Sequence, residues 1–335
     1  MIISRVVLHQ PMGLLRLQTN SGLEGNCFGI PSSSSDIEHI GDLLLDSNPL
    51  DRERIWWIMK EMNREIERHL RLGIDIALWD LSAKVAGQSL FRHVNGFRHQ
   101  IPVCLVGSIS VEGQDILQEA REAQKKGFKA FRFESSLPEE DLINLIRELR
   151  VAVGSDFPLI FDGRNDYIPD QAIRIGKVLD EEDFFCFDYP RPNNDHLSGK
   201  HIACEIDTPT SMGISTPMET AQVLSLQSAD HVRTSVEISG GFTDVVKSIR
   251  CAEAFGAYCL LEGSGICDGF VHLHLLGSSR NCPFMEMSNS IFKSPYIKNS
   301  LEIREGLINI PDMPGLGMQL DLNSVKEQTV ELIKI

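Results

Sequence analysis

From Ile101 onward the chain keeps one rhythm, in which short apolar runs alternate with amphipathic helical patterns. That rhythm commits it to repeated βα units on a parallel sheet. Strands are expected over 102–106, 128–134, 158–162, 184–188, 209–214, 231–235, 257–262 and 283–287. Helices are expected over 115–126, 139–153, 170–179, 217–226 and 241–255, with a further helical stretch near 270–276. Eight such strands suggest a closed barrel, and in a barrel of this kind the chemistry belongs at the C-terminal ends of the strands.

The first hundred residues read differently. Strands over 2–8 and 14–19 and a glycine-punctuated return through Gly25-Asn26-Cys27-Phe28 precede helical patterns over about 36–94, which makes this part α+β. Only His9-Gln10-Pro11-Met12-Gly13 separates the first two strands, a length that suits a tight turn and not a lid. Pro31-Ser32-Ser33-Ser34-Ser35-Asp36 reads as a surface loop with Asp36 as a helix cap. No run of apolar residues is long enough to span a bilayer, and the start lacks the features of a secretory signal, so a cytoplasmic protein is expected. The eight cysteines form no C-x-x-C pair and read as reduced, packed thiols. A formal charge of −15, without a compensating basic cluster, argues against nucleic acid and anionic membranes as partners.

The polar residues near the strand ends carry the functional information. Arg132 and Glu134 lie on the second barrel strand, Asp162 and Arg164 at the end of the third, and Asp188 on the fourth. Ser235, Glu262 and Glu286 end the sixth, seventh and eighth. Residues two apart on a strand share a face, so Arg132 points with Glu134, and Asp162 with Arg164 if the strand extends that far. A charged cluster is thus expected at the barrel mouth.

Three motifs add a resemblance. Gly73-Ile74-Asp75-Ile76-Ala77-Leu78-Trp79-Asp80, followed by Lys84, Gly87 and Gly96, is one; Gly240-Gly241 is the second; Pro311-Asp312-Met313-Pro314-Gly315-Leu316-Gly317 is the third. In this order, with the βα rhythm between them, they resemble the mandelate racemase and muconate lactonizing enzyme branch of the enolase superfamily across nearly the whole chain. The resemblance implies a modified (β/α)8 TIM-type barrel with an α+β capping domain. The cap would be built from residues 1–100, the barrel from 101–298, and 299–335 would return to the cap.

It also implies removal of a proton α to a carboxylate by a lysine or histidine base, with Mg²⁺ on carboxylates at the ends of strands three, four and five. Asp162 and Asp188 match the first two ligand positions, whereas the third is Ile214, which offers no side-chain oxygen. The Lys-x-Lys of strand two is Arg132-Phe133-Glu134, and the strand-seven histidine is Glu262. Glu286 matches a strand-eight glutamate.

Two readings stay open. In one, Glu134 and Glu262 act as base and acid on a small carboxylate such as a sugar acid, with Arg132 and Arg164 supplying positive charge, Arg164, Ser235 and Glu286 binding substrate, and Asp162 and Asp188 as residual metal ligands. The chain is then a lyase or isomerase, a homo-oligomer with no organic cofactor. In the other, the arginines neutralise Asp162 and Asp188 in a structural network, and the chain is a non-catalytic homologue. His272 and His274, two apart in a helical stretch, do not share a face and are not expected to bind metal.

Overall fold

A computed structural model describes residues 1–10, 13–28, 35–62, 66–108, 113–263, 266–288, 296–328 and 330–334. Three strands open the chain: β1 (Ile3–Gln10), β2 (Leu14–Thr19) and β3 (Glu24–Cys27). They form an antiparallel meander in which His9 faces Leu14. That pairing makes the β1–β2 connection a short hairpin; its Pro11 and Met12, like residues 31–34 of the serine-rich segment, lie outside the described residues. Helices α1 (Ser35–Leu44), α2 (Arg52–Glu61), α3 (Arg68–Val85) and α4 (Leu90–His93) follow. Helix α3 is buried on nearly every side, from Leu70 to Ala83, because it lies between the cap sheet and the barrel.

The barrel strands are β4 (Gln100–Val106), β5 (Ala130–Glu134), β6 (Leu159–Asp162), β7 (Cys186–Asp188), β8 (Thr210–Gly213), β9 (His231–Thr234), β10 (Cys259–Leu261) and β11 (Met285–Met287). Each falls within, or within two residues of, an expected run. Helices α5 (Gln114–Lys125), α6 (Glu139–Val153), α7 (Pro169–Glu181), α8 (His196–Glu205), α9 (Pro217–Leu226), α10 (Val236–Ser239), α11 (Phe242–Ala254) and α12 (Ile266–Gly277) connect them. Strands β4 to β10 pair in parallel in sequence order, and β11 returns to pair in parallel with β4. Short strands β12 (Ile303–Arg304) and β13 (Leu307–Asn309) lay an antiparallel ladder on the start of β4. Helix α13 (Leu322–Gln328) then leads to β14 (Val330–Lys334), which pairs with β1 in the cap.

Alternation along the strands sorts the side chains. Leu105, Phe131, Phe133, Phe161 and Phe187 point outward into a core shared with the helices. Cys104, Ala130, Ile160, Cys186 and Leu260 point inward and form a small apolar plug. Residues two further along the same strands therefore face the barrel mouth.

The three scaffold motifs meet at the seam of cap and barrel. Asp75 accepts hydrogen bonds from Thr243 N (2.8 Å) and Thr243 Oγ1 (2.6 Å), just after Gly240-Gly241. A Cβ on Gly241 would lie 2.6 Å from Asp75 Oδ2. Asp80 accepts from Asn26 N and Leu316 N and pairs with Lys84 at 2.6 Å. Gly315, at φ +79°, passes so close to Asp80 that a side chain there would collide. The histidines on α12 are structural. His272 accepts from Val236 N, while His274 accepts from Phe91 N and donates to Leu316 O. Burial lowers both pKa values to about 4, which keeps the rings neutral. Among the described residues no helix is long and apolar enough to cross a membrane.

Candidate active site

The charged layer sits directly above the apolar plug. Arg132 from β5 bridges two neighbouring strands, donating from Nη2 to Asp162 Oδ2 (2.6 Å) and from Nε to Asp188 Oδ2 (2.8 Å). Arg233 from β9 reaches across the barrel to the same Asp188 oxygen (2.5 Å) and grips Glu286 of β11 with two nitrogens, at 2.7 and 2.9 Å. Ser211 Oγ at 2.7 Å and the Cys186 thiol serve Asp188 Oδ1. Asp188 thus meets four donors while wholly buried. Burial pushes its pKa up, but Arg233 and Arg132 outweigh this and hold it below the ordinary aspartate range. Asp162 has one arginine, and burial prevails there, raising its pKa.

Above this layer opens a cleft of about 630 Å³, whose wall includes Arg132, Tyr189, Asn193, His196, Ile214 and Glu262. Glu262 follows β10 immediately, and its backbone N–H donates to Thr234 O. Its Oε1 accepts from Tyr189 Oη at 3.0 Å, and its Oε2 lies 3.7 Å from Arg233. Burial raises its pKa against the pull of Arg233. Tyr189, Arg164 and Asn165 all line the cleft with positive φ, at +47°, +56° and +64°. A left-handed backbone costs about 1–3 kcal/mol at residues with bulky side chains, so the surrounding contacts hold this strained rim in place.

Of the residues named from sequence, Arg132, Asp162, Asp188, Glu262 and Glu286 converge as one network. Three others are engaged differently. Strand β6 ends at Asp162, and the chain turns at Arg164 and Asn165, both at positive φ, so that strand alternation does not carry the Asp162 face on to Arg164. The Arg164 side chain is partly exposed and lies 3.8 Å from Glu134; only its backbone N–H serves Asp162. The expectation that the Arg164 side chain compensates Asp162 and Asp188 is therefore corrected: Arg132 pairs with both, and Arg233 joins it at Asp188. Ser235 caps α10, accepting from Ile238 N, and lines a smaller cavity with Arg132, Glu262 and Glu286. Both oxygens of Glu286 accept from Arg233. Arg233 and Tyr189 were missed by sequence reasoning. A charge in the middle of His231-Val232-Arg233-Thr234, on a strand of a buried parallel sheet, was the available signal for the first.

The donor set does not fit a divalent cation. Both oxygens of Asp162 and both of Asp188 already accept hydrogen bonds, Asp188 Oδ2 from two guanidinium groups and Oδ1 from Ser211 and Cys186. Ile214 is buried at the end of β8 with no oxygen to offer. Among the described residues no three His, Cys, Asp or Glu side chains converge as a metal cage.

A capped barrel with a polar cleft at its strand ends defines the class, and family models name it. Residues 2–93 match the mandelate racemase / muconate lactonizing enzyme N-terminal domain, and 115–325 match the enolase C-terminal domain-like model. The chain belongs to the mandelate racemase and muconate lactonizing enzyme group of the enolase superfamily. It is 27% identical to an arabinonate dehydratase of Saccharolobus solfataricus over 259 residues, covering 73% of this chain and 68% of the relative. It is 23% identical to a D-galactarolactone cycloisomerase of Agrobacterium fabrum, covering 90% and 86%. A D-glucarate dehydratase from Agrobacterium tumefaciens, solved in complex with magnesium, superimposes with a TM-score of 0.82 at 22% identity, covering 99% of this chain and all of that one. These relatives are lyases and isomerases, and membership supports that class of activity here.

Proposed function

We propose that this chain is a lyase or isomerase that removes a proton α to the carboxylate of a small acid, sugar acids being the class its relatives suggest, with Glu262 as the group that moves the proton. The observation that carries this reading is the placement of Glu262 on the cleft wall, hydrogen-bonded to Tyr189 and raised in pKa by burial. A carboxylate of raised pKa is a stronger base, suited to general acid–base work nearer neutral pH. The C–H bond breaks, the proton passes to a Glu262 oxygen, and the electron pair enters the substrate carboxylate as an enediolate. Arg132, whose Nε and Nη2 are held by Asp188 and Asp162, stands on the same cleft wall as positive charge for that anion. Glu134 is turned toward Arg164, so a single proton-moving group is favoured over a two-faced pair. One group suits elimination, in which the proton taken from the α-carbon leaves with a β-hydroxyl as water. The residues present do not accommodate magnesium.

The test is α-proton exchange in D₂O, followed by NMR, over a panel of aldonic and aldaric acids. Exchange that Glu262→Gln abolishes and Glu134→Gln spares supports the reading; exchange surviving in Glu262→Gln overturns the assignment. A folded chain that exchanges nothing favours the second reading, a non-catalytic binder. The mutual saturation of Arg132, Arg233, Asp162, Asp188 and Glu286 speaks for that alternative.

A further inference from the structure

We infer that Arg132 and Arg233 are the resident cation of this site, Arg132 lying between Asp162 and Asp188, where the family resemblance implies a divalent metal, and Arg233 on Asp188 beside it, so that the chain binds no metal there. This inference holds whether or not Glu262 moves a proton. One planar guanidinium spans the two carboxylates at 2.6 and 2.8 Å, which leaves no room between them for an ion with its own oxygen shell. A second guanidinium closes on the same Asp188 oxygen at 2.5 Å and is anchored by Glu286 at 2.7 Å. Together the pair carries a formal charge of +2, that of the ion it replaces.

Entry of a metal would break both ion pairs of Asp188. It would also leave Arg233, fully buried with its Nε already lacking a partner among the described residues, beside a new positive charge. That outcome is unfavourable on both desolvation and Coulomb grounds. The third change is complementary. Ile214, buried on the cleft wall with its backbone N–H donating to Arg233 O at 2.8 Å, puts hydrocarbon where a third carboxylate would be needed to outbid the arginines.

The experiment is Mn²⁺ binding to the chelator-treated full chain, read by loss of the free-ion paramagnetic resonance signal and, with Mg²⁺, by melting temperature. Wild type is expected to bind no Mn²⁺ at millimolar concentration and to show no saturable shift; a native-state ligand well above its dissociation constant would raise melting by several degrees. Ile214→Glu alone is expected to remain metal-free, because Arg132 still fills the gap. Arg132→Met combined with Ile214→Glu is expected to bind one Mn²⁺ per chain. Stoichiometric Mn²⁺ on wild type, lost in Asp162→Asn, overturns the inference. So does binding by Ile214→Glu alone, or a folded double variant that binds none. If the double variant does not fold, wild type and the single variant decide. Metal on wild type would leave the Glu262 reading standing, and absent α-proton exchange would leave this one standing.

Discussion

At the seam between cap and barrel, Asp75 and Asp80 are answered largely by backbone N–H groups, whereas at the barrel mouth Asp162, Asp188 and Glu286 are answered by guanidinium groups. The two solutions to burying a carboxylate have different consequences. Backbone donors belong to the fold, so a carboxylate that depends on them locks three chain segments together and tolerates little change around it. Guanidinium donors arrive on side chains from separate strands, so they can be exchanged for other cations while the barrel stays the same. Seam and mouth are therefore expected to respond differently to substitution, because their donors differ in kind.

The comparison breaks first, and most heavily, at Arg233. Replacing it by methionine leaves Asp188 and Glu286 buried without their shared partner, and loss of one member of a buried pair costs about 3–5 kcal/mol. Urea unfolding of Arg233→Met should show a loss of that order. A loss below about 1 kcal/mol would mean that the mouth relaxes or admits water, and that its ion pairs do not hold the barrel.

At the seam the expected effect is smaller and depends on pH. Asp75 is fully buried, and burial raises its pKa from 3.8 to about 6 against the opposing hydrogen bonds of Thr243, with Asp244 raising it further and Arg52 lowering it. The folded state therefore holds this proton more tightly than the unfolded state. Its stabilising contribution is complete below the ordinary aspartate pKa and is lost as pH rises through about 6. A shift of this size corresponds to about 3 kcal/mol. The stability of wild type minus that of Asp75→Asn should fall by up to that amount between about pH 4 and pH 7. A difference flat with pH would show Asp75 ionised throughout, held by Thr243 alone.

The same contrast explains what could be read from sequence. The seam motifs were legible because Gly241 and Gly315 stand where a Cβ would strike Asp75 and Asp80, so residue type and geometry are bound together locally. The eight strands were legible because their apolar runs must bury the outward phenylalanines under the helices. Arg132, Asp162, Asp188 and Glu262 could be named from strand parity and resemblance. Their partners could not, since Arg233 meets Asp188 and Glu286 across 45 and 53 residues and only the folded barrel joins them. Arg164 was expected to share the face of Asp162 only if the strand reached it, and β6 ends at Asp162.

Arg164 supplies the smallest and sharpest test of that distinction, because it differs from Arg132 in burial and not in charge. Arg132 is held by two carboxylates in the buried layer, while Arg164 stands 43% exposed at the rim, 3.8 Å from Glu134 and also 3.8 Å from Asp166. Exposed pairs of this kind contribute about 0–1 kcal/mol, and salt screens them further. Arg164→Ala should therefore change unfolding free energy by less than about 1 kcal/mol, the change shrinking as salt is added. A larger, salt-insensitive loss would place Arg164 in the buried network after all and would erase the boundary between rim and layer.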